Sequence, residues 1–133
     1  MIASANESNE QSIAAVLKPI LGRLNSVSKE IEASAVMTRD GLTLASKIRD
    51  DVNQDRLGAM CASLLSLSDK TAKELSRGKL KQVLLEGDQG CVLIVHIGQR
   101  AVLAVVSKPS SNLGMVFVEA RKVAREIEAT SLV

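Results

Sequence analysis

The sequence has one histidine and two cysteines as candidates for acid-base or nucleophilic chemistry, and their positions do not support it. The only histidine, His96, falls inside an apolar strand pattern. Nucleophilic catalysis needs a base within hydrogen-bond reach of the nucleophile and a third group that orients the base. A lone histidine in a strand is more typical of a packed or strand-edge side chain. We therefore expect no catalytic residues and no enzymatic activity.

The cysteines and the adjacent carboxylates favour structural roles. Cys61 lies in a helical pattern and Cys91 in a strand pattern, and neither has a Cys or His at ligand spacing, so we expect buried free thiols. Asp50 and Asp51 precede a predicted helix, where carboxylates favour the helix N-terminus. The sequence lacks a Gly-x-x-x-x-Gly-Lys-Ser/Thr phosphate loop. We expect neither nucleotide hydrolysis, nor a cofactor, nor a metal.

Composition excludes several classes of binding protein. The chain has 133 residues, of which 46% are hydrophobic and 24% charged, as in an ordinary globular domain. Phe117 is the only aromatic residue, so stacking on bases or sugars is disfavoured. The net charge is +2 with both signs interspersed, which argues against nucleic-acid binding. The densest basic cluster, Arg121, Lys122 and Arg125, lies among glutamates and is typical of a solvated helix face.

The first residues are polar and carry no secretory signal pattern, and no stretch approaches the length of a membrane span. We expect a cytoplasmic protein without membrane insertion. Residues 1–11 are predicted to form a flexible segment, and residues 12–130 a single domain.

The first half of the domain predicts a helix followed by a hairpin. Apolar residues repeat at helical spacing between Ile13 and Leu24, with an expected kink or restart at Pro19. The strands predicted for residues 33–39 and 42–48 are joined by Asp40-Gly41, which could supply the two positive φ angles of a primed turn.

The second helix should begin after an Asn53 N-cap and end at Gly78. Its apolar residues cover more than half of the helix circumference, whereas packing on one sheet needs only about 100°. The excess could meet a second copy of the same helix, which we favour, or another helix of the same monomer. The small-residue edge of the face comprises Gly58, Ala62, Leu65 and Asp69, with Met60 and Leu67 as the alternative edge.

The second half predicts three strands and a helix. Residues 80–86 suit a strand with one side less protected, and the continuous apolar runs 91–95 and 101–106 suit central strands. Short turns make these an antiparallel meander. Residues 107–112 form the last loop, and Asn112 then caps a third helix. The sequence thus predicts an α+β domain of order α-β-β-α-β-β-β-α, a five-stranded antiparallel sheet with helices on both faces.

The order of these elements resembles the roadblock (dynein light chain) domain family, in its bacterial branch. The residues that carry the resemblance are the turn Thr38-Arg39-Asp40-Gly41-Leu42, the helix from Leu57 to Leu75, the run Val83-Leu84-Leu85-Glu86-Gly87, and Asn112-Leu113-Gly114. No single motif among them is diagnostic. The resemblance as a whole covers about residues 12 to 128, nearly the whole chain.

The resemblance implies a fold related to profilin and longin domains, and a homodimer. In that dimer the strand at residues 80–86 pairs with its symmetry mate, which involves Val83 and Leu85, and the second helices meet across the two-fold axis. Family members are non-enzymatic partners of Ras-like small GTPases, acting as activators, exchange scaffolds or platforms. Others serve motor or signalling complexes, including those of cell polarity or motility.

The resemblance implies a GTPase-binding surface, for which Met60 and Leu67 are candidates. An arginine finger would instead use Arg39, Arg49 or Arg100, the arginines in predicted turns and loops. Two other functions stay open. One is an assembly scaffold that binds another roadblock-like subunit without touching a GTPase. The other is a small-ligand sensor of the PAS or GAF type, disfavoured by the apolar central strands.

Overall fold

A computed structural model describes residues 2–109 and 112–133. The elements follow the predicted order: α1 (Ile2–Val27), β1 (Ile31–Thr38), β2 (Thr43–Lys47), α2 (Gln54–Glu74), β3 (Gln82–Gly87), β4 (Gly90–Ile97), β5 (Ala101–Ser107) and α3 (Leu113–Ala129). Ser110 and Ser111 of the predicted last loop lie outside the described residues.

The five strands form one antiparallel sheet in the order β2-β1-β5-β4-β3. The apolar runs predicted to be central are central, because β5 lies between β1 and β4 and both of its faces are covered. β3, by contrast, is an edge strand whose last four residues are exposed. The fold class predicted from the sequence is confirmed.

The helices divide unequally between the two faces of the sheet. α1 and α3 pack side by side on one face, over a core that contains Leu17, Leu21, Leu103 and Ile127. α2 covers the other face alone, through Cys61 and Leu65. One helix therefore shields a face as wide as the one that two helices shield opposite, and this leaves apolar surface beside α2.

α1 is longer and more regular than the sequence predicted. It begins at Ile2, so residues 2–11 are helical, and the flexibility predicted for residues 1–11 stays a prediction. The helix also continues through Pro19 without a break. Pro19 is exposed while Leu17, Ile20 and Leu21 are buried, so the packing of the apolar stripe holds the helix together around the missing backbone donor.

The hairpin turn differs from the primed turn that the sequence predicted. Only Gly41 has a positive φ, of 101°, and Asp40 does not. The Gly41 N–H donates to the Thr38 carbonyl at 3.0 Å and the Thr38 N–H donates to the Leu42 carbonyl at 2.8 Å. This is the bonding of a three-residue loop with a glycine bulge. The Thr38 hydroxyl bonds the Asp40 carboxylate, which lowers the pKa of that carboxyl and favours this loop over the two-residue turn.

Both predicted caps are confirmed, whereas the end of α2 comes earlier than predicted. The Asn53 side chain accepts from the Arg56 N–H at 3.0 Å, and the Asn112 side chain accepts from the Met115 N–H at 3.2 Å. α2 ends at Glu74 because Ser76, with φ 55°, takes the left-handed position that the sequence assigned to Gly78.

Candidate partner-binding surfaces

The first candidate surface is the outer flank of α2. Met60, Leu64 and Leu67 lie at helical spacing on this flank. Leu64 is half-buried against the core beneath α2, but Met60 and Leu67 are 51% and 65% exposed. Large apolar side chains grouped in this way on one helix are characteristic of a protein interaction site.

The second candidate surface is the outer edge of β3. Its inner edge pairs with β4 from Gln82 to Gly87, and no strand of the described chain pairs with its outer edge. Val83 packs into the core on the α2 side, so by strand alternation Leu85 points to the α2 side and Leu84 to the α3 side. Leu84 and Leu85 are 39% and 44% exposed. An apolar open edge is a template for pairing with another strand.

Two residues of the predicted small-residue edge of α2 are buried in the core of this chain. A Cβ on Gly58 would lie 2.1 Å from the Gly41 carbonyl oxygen, so the helix and the hairpin tip touch backbone to backbone. Leu65 is only 2% exposed and contributes to the core beneath α2. Gly58 and Leu65 therefore have no surface to offer a second helix, and the α2 side chains free to do so are those of the opposite flank, Met60 and Leu67.

The other predicted interface residues divide between core and surface. Ala62 is half-buried, and Asp69 is half-buried and ion-paired with Lys73 at 3.1 Å. Val83 is partly buried, whereas Leu85 is exposed at the β3 edge. Only Leu85 among these four presents a large apolar side chain to a partner.

The three candidate arginines lie at opposite ends of the sheet. Arg39 and Arg100 are in adjacent turns, where the Arg39 N–H donates to the Arg100 carbonyl at 3.2 Å. Arg49 follows the far end of β2 and is ion-paired with Asp51, its Nε 3.1 Å from an Asp51 carboxylate oxygen. The fold therefore brings together Arg39 and Arg100, and places Arg49 apart from them.

A cavity of about 980 Å³, which the sequence did not indicate, lies at the Arg39 end of the sheet. It is bounded by the hairpin tip, the turn at Gly98-Gln99, the end of α2 and the segment that enters β3. Its lining includes His96 and five basic residues, Arg39, Lys73, Lys79, Lys81 and Arg121, but one acidic residue, Asp69. The part of the sequence that could have indicated this cavity is the stretch from Arg77 to Lys81, which has three basic residues and no acidic residue.

His96 is half-buried at this cavity rather than packed in the core. Burial lowers its pKa, and the positive charges of Arg39 and Lys79 lower it further, against the opposing effect of Asp69. Cys61 and Cys91 are buried free thiols as predicted, and burial raises the pKa of Cys61. Among residues 2–109 and 112–133, no cluster of three His, Cys, Asp or Glu side chains could hold a metal ion.

Comparison with known proteins assigns the family. The sequence profile of the Roadblock/LC7 domain matches residues 18–107, more than half of the chain. The chain belongs to the Roadblock/LC7 domain family. Two uncharacterised proteins of Methanocaldococcus jannaschii are each 32% identical to this Roadblock/LC7 domain over 99 residues, which cover 74% of this chain and 86% of each relative.

Solved structures with the same fold are similar over most of their length. The Roadblock/LC7 domain from Streptomyces avermitilis gives a TM-score of 0.79 at 17% identity, covering 86% of this chain and 96% of that one. Myxococcus xanthus MglB gives 0.76 at 20% identity, covering 93% and 92%. Profilin II of Acanthamoeba castellanii gives 0.63 at 18% identity, covering 86% and 98%. The predicted relation to profilin is thereby confirmed at the level of fold. No helix within the described residues is long and apolar enough to cross a membrane.

Proposed function

We propose that this Roadblock/LC7 domain forms a homodimer, and that the dimer is a non-enzymatic regulator or scaffold of a Ras-like small GTPase. The observation that carries the proposal is the open β3 edge, with Leu84 and Leu85 exposed, on a sheet whose α2 presents Met60 and Leu67. Two copies related by a two-fold axis would join their β3 strands and continue the sheet, and would cover both apolar surfaces at once.

The GTPase partner rests on the family. Roadblock domains are partners of Ras-like GTPases, and MglB, which has this fold, has been solved in a tetrameric arrangement. The sequence has no phosphate loop, so the GTP would be bound by the partner. Such a dimer would act by repositioning groups of the GTPase, without supplying a catalytic group of its own.

The test of GTPase partnership is capture from lysate of the source organism, followed by measurement of GTP turnover. Wild-type protein is compared with Leu67→Arg, at the proposed dimer surface, and with Val118→Arg as a control, since Val118 is 57% exposed on α3. We expect a small GTPase to bind wild type and the control, with altered GTP turnover, and to be lost with Leu67→Arg. If none of the small GTPases of the organism binds the wild-type dimer, the GTPase role is wrong.

Capture of another roadblock-like subunit in place of a GTPase would support the second function, an assembly scaffold. The tetrameric arrangement of MglB and the fold similarity to Myxococcus xanthus MglC, with a TM-score of 0.58, favour this alternative.

The arginines provide a separate prediction about mechanism. We expect Arg39→Ala, Arg49→Ala and Arg100→Ala each to change stimulated GTP turnover by less than about tenfold. An arginine finger is worth roughly 10³ to 10⁵ in rate. A loss of that size in any of the three variants would replace the repositioning mechanism with a finger.

A further inference from the structure

The cavity at the Arg39 end of the sheet has a charge balance unlike the rest of the molecule. The whole chain has 17 basic and 15 acidic residues, but the cavity has five basic residues and one acidic residue. These charges come from separate elements: the hairpin tip, α2, the segment before β3, and α3. They converge on one space only in the folded chain.

Most of this positive charge is not neutralised within the described part of the chain. Lys73 is paired with Asp69, whereas neither Lys79 nor Lys81 forms an ion pair with any side chain that the structure describes. The two arginines are held by neutral groups. Arg39 donates to the Gln99 carbonyl at 3.4 Å, and Arg121 donates to the Gln82 side chain at 2.5 Å. These bonds fix the guanidinium groups beside the cavity while leaving their charge available.

His96 lies half-buried at the same cavity. Beyond the effect of burial, Arg39 and Lys79 disfavour protonation of its ring, and Asp69 only partly opposes them. A histidine beside two cations is poorly suited to bind a metal cation, but it can gain a proton and a hydrogen bond when an anion arrives.

The shape and chemistry of the lining favour a compact anion with several charges. A volume near 980 Å³ is in the range of small-molecule sites, roughly 300 to 1,000 Å³. Two arginine forks match phosphate oxygens in a bidentate manner, and lysines act as point charges around them. The cations come from separate elements and line one cavity, so a clustered phosphate group fits better than an extended acidic peptide.

We propose that this cavity is a binding site for a phosphate-bearing small molecule with two or more phosphate groups, held by Arg39, Lys79, Lys81 and Arg121 beside His96. The site is built within one chain and does not depend on the proposed dimer or on a GTPase. Bound phosphate would neutralise the cluster and stabilise the packing of the hairpin tip, the end of α2 and the entry to β3.

The single histidine makes the test direct, with protein free of a histidine tag. NMR follows the titration of His96 with and without tripolyphosphate or ATP, at low ionic strength because salt screens exposed charges. Calorimetry measures the affinity of each ligand, and hexaglutamate is the comparison anion. We expect tripolyphosphate to bind and to raise the His96 pKa by about one unit, since the ligand reverses the local potential.

The variant Lys79→Glu/Lys81→Glu should weaken tripolyphosphate binding by about tenfold or more. The control Lys18→Glu/Lys29→Glu makes the same change in net charge at exposed positions outside the cavity, and should bind like wild type. Thermal melting verifies that both variants are folded.

Binding of tripolyphosphate supports the site whether or not ATP also binds. If tripolyphosphate binds and ATP does not, the cavity accepts the phosphates but is too small for the nucleoside. Three results would overturn it: no ligand-induced change at His96, equal weakening in the control variant, or hexaglutamate binding as tightly as tripolyphosphate. Binding of ATP without tripolyphosphate would also overturn it, because the nucleoside and not the phosphates would then be recognised.

Discussion

At the scale of single residues, two helical glycines of this chain have opposite steric surroundings. Gly22 and Gly58 both lie inside helices, but a Cβ on Gly22 would meet only Lys47 Cε at 3.9 Å, whereas one on Gly58 would overlap the Gly41 carbonyl oxygen. Gly58 therefore enables the backbone contact that seats the hairpin tip on α2. The sequence showed a small residue on a helix edge but not which backbone would approach it.

This difference gives a paired prediction. Gly22→Ala should raise the free energy of unfolding by up to about 1 kcal/mol, because alanine favours the helix. Gly58→Ala should lower it by about 1 to 3 kcal/mol, since the hairpin must move away from α2. Urea denaturation measures both. A Gly58→Ala protein as stable as Gly22→Ala would mean that the hairpin does not rest on the helix.

His96 gives the domain a predictable pH dependence. Its pKa is lower in the folded state than in the unfolded chain, so the unfolded chain binds the proton more readily. Stability should therefore fall as pH decreases below the ordinary histidine pKa of about 6.5, and this contribution should level off below the lowered folded-state pKa. His96→Gln should remove this part of the profile. Urea denaturation across this pH range measures the free energy of unfolding. If it depends on pH in His96→Gln as it does in wild type, the lowered pKa of His96 is contradicted.

At the scale of elements, the sequence was informative about their order and about the N-terminal caps of α2 and α3, but not about orientation. The Asn53 and Asn112 caps, the central strands and the exposed edge of β3 follow from local chemistry and periodicity. The turn type and the end of α2 do not. Asp40-Gly41 alone suggested a two-residue turn, but the Thr38 hydroxyl bonds Asp40 in a three-residue loop. Gly78 alone suggested the helix end, but Ser76 takes the left-handed conformation first.

The wide apolar arc of α2 likewise predicted that this helix contacts both the sheet and another partner. Helical periodicity does not determine which flank of α2 packs on the sheet. The sheet takes the flank with Leu65, so Met60 and Leu67 are left exposed. The cationic cavity was equally inaccessible to sequence reasoning, because Arg39, Lys79 and Arg121 are distant in sequence and meet only after folding.

Substitutions at two leucines of α2 distinguish the stability of the monomer from dimer formation. Leu65→Arg would place a charge in the core beneath the helix and should lower the free energy of unfolding by about 3 kcal/mol or more. Leu67→Arg, on the exposed flank, should change the stability of the monomer by less than about 0.5 kcal/mol. Dilution to a monomeric concentration before denaturation isolates this comparison. Equal losses in the two variants would mean that the exposed flank is part of the monomer core.

At the scale of the whole molecule, the features combine into one asymmetric arrangement. Two helices pack on one face of the sheet, and a single helix leaves the other face and the β3 edge partly bare. The bare surface is apolar and suits a second copy of the chain, whereas the cavity beside it is cationic and suits an anion.

Sedimentation velocity measures whether the chain forms the proposed homodimer. Wild type and Val118→Arg should sediment at twice the 14.1 kDa chain mass. Leu67→Arg and Leu85→Lys should sediment as folded monomers, because each places a charge at the proposed interface. A monomeric wild-type protein at micromolar concentration, or dimers that persist in both interface variants, would contradict the account.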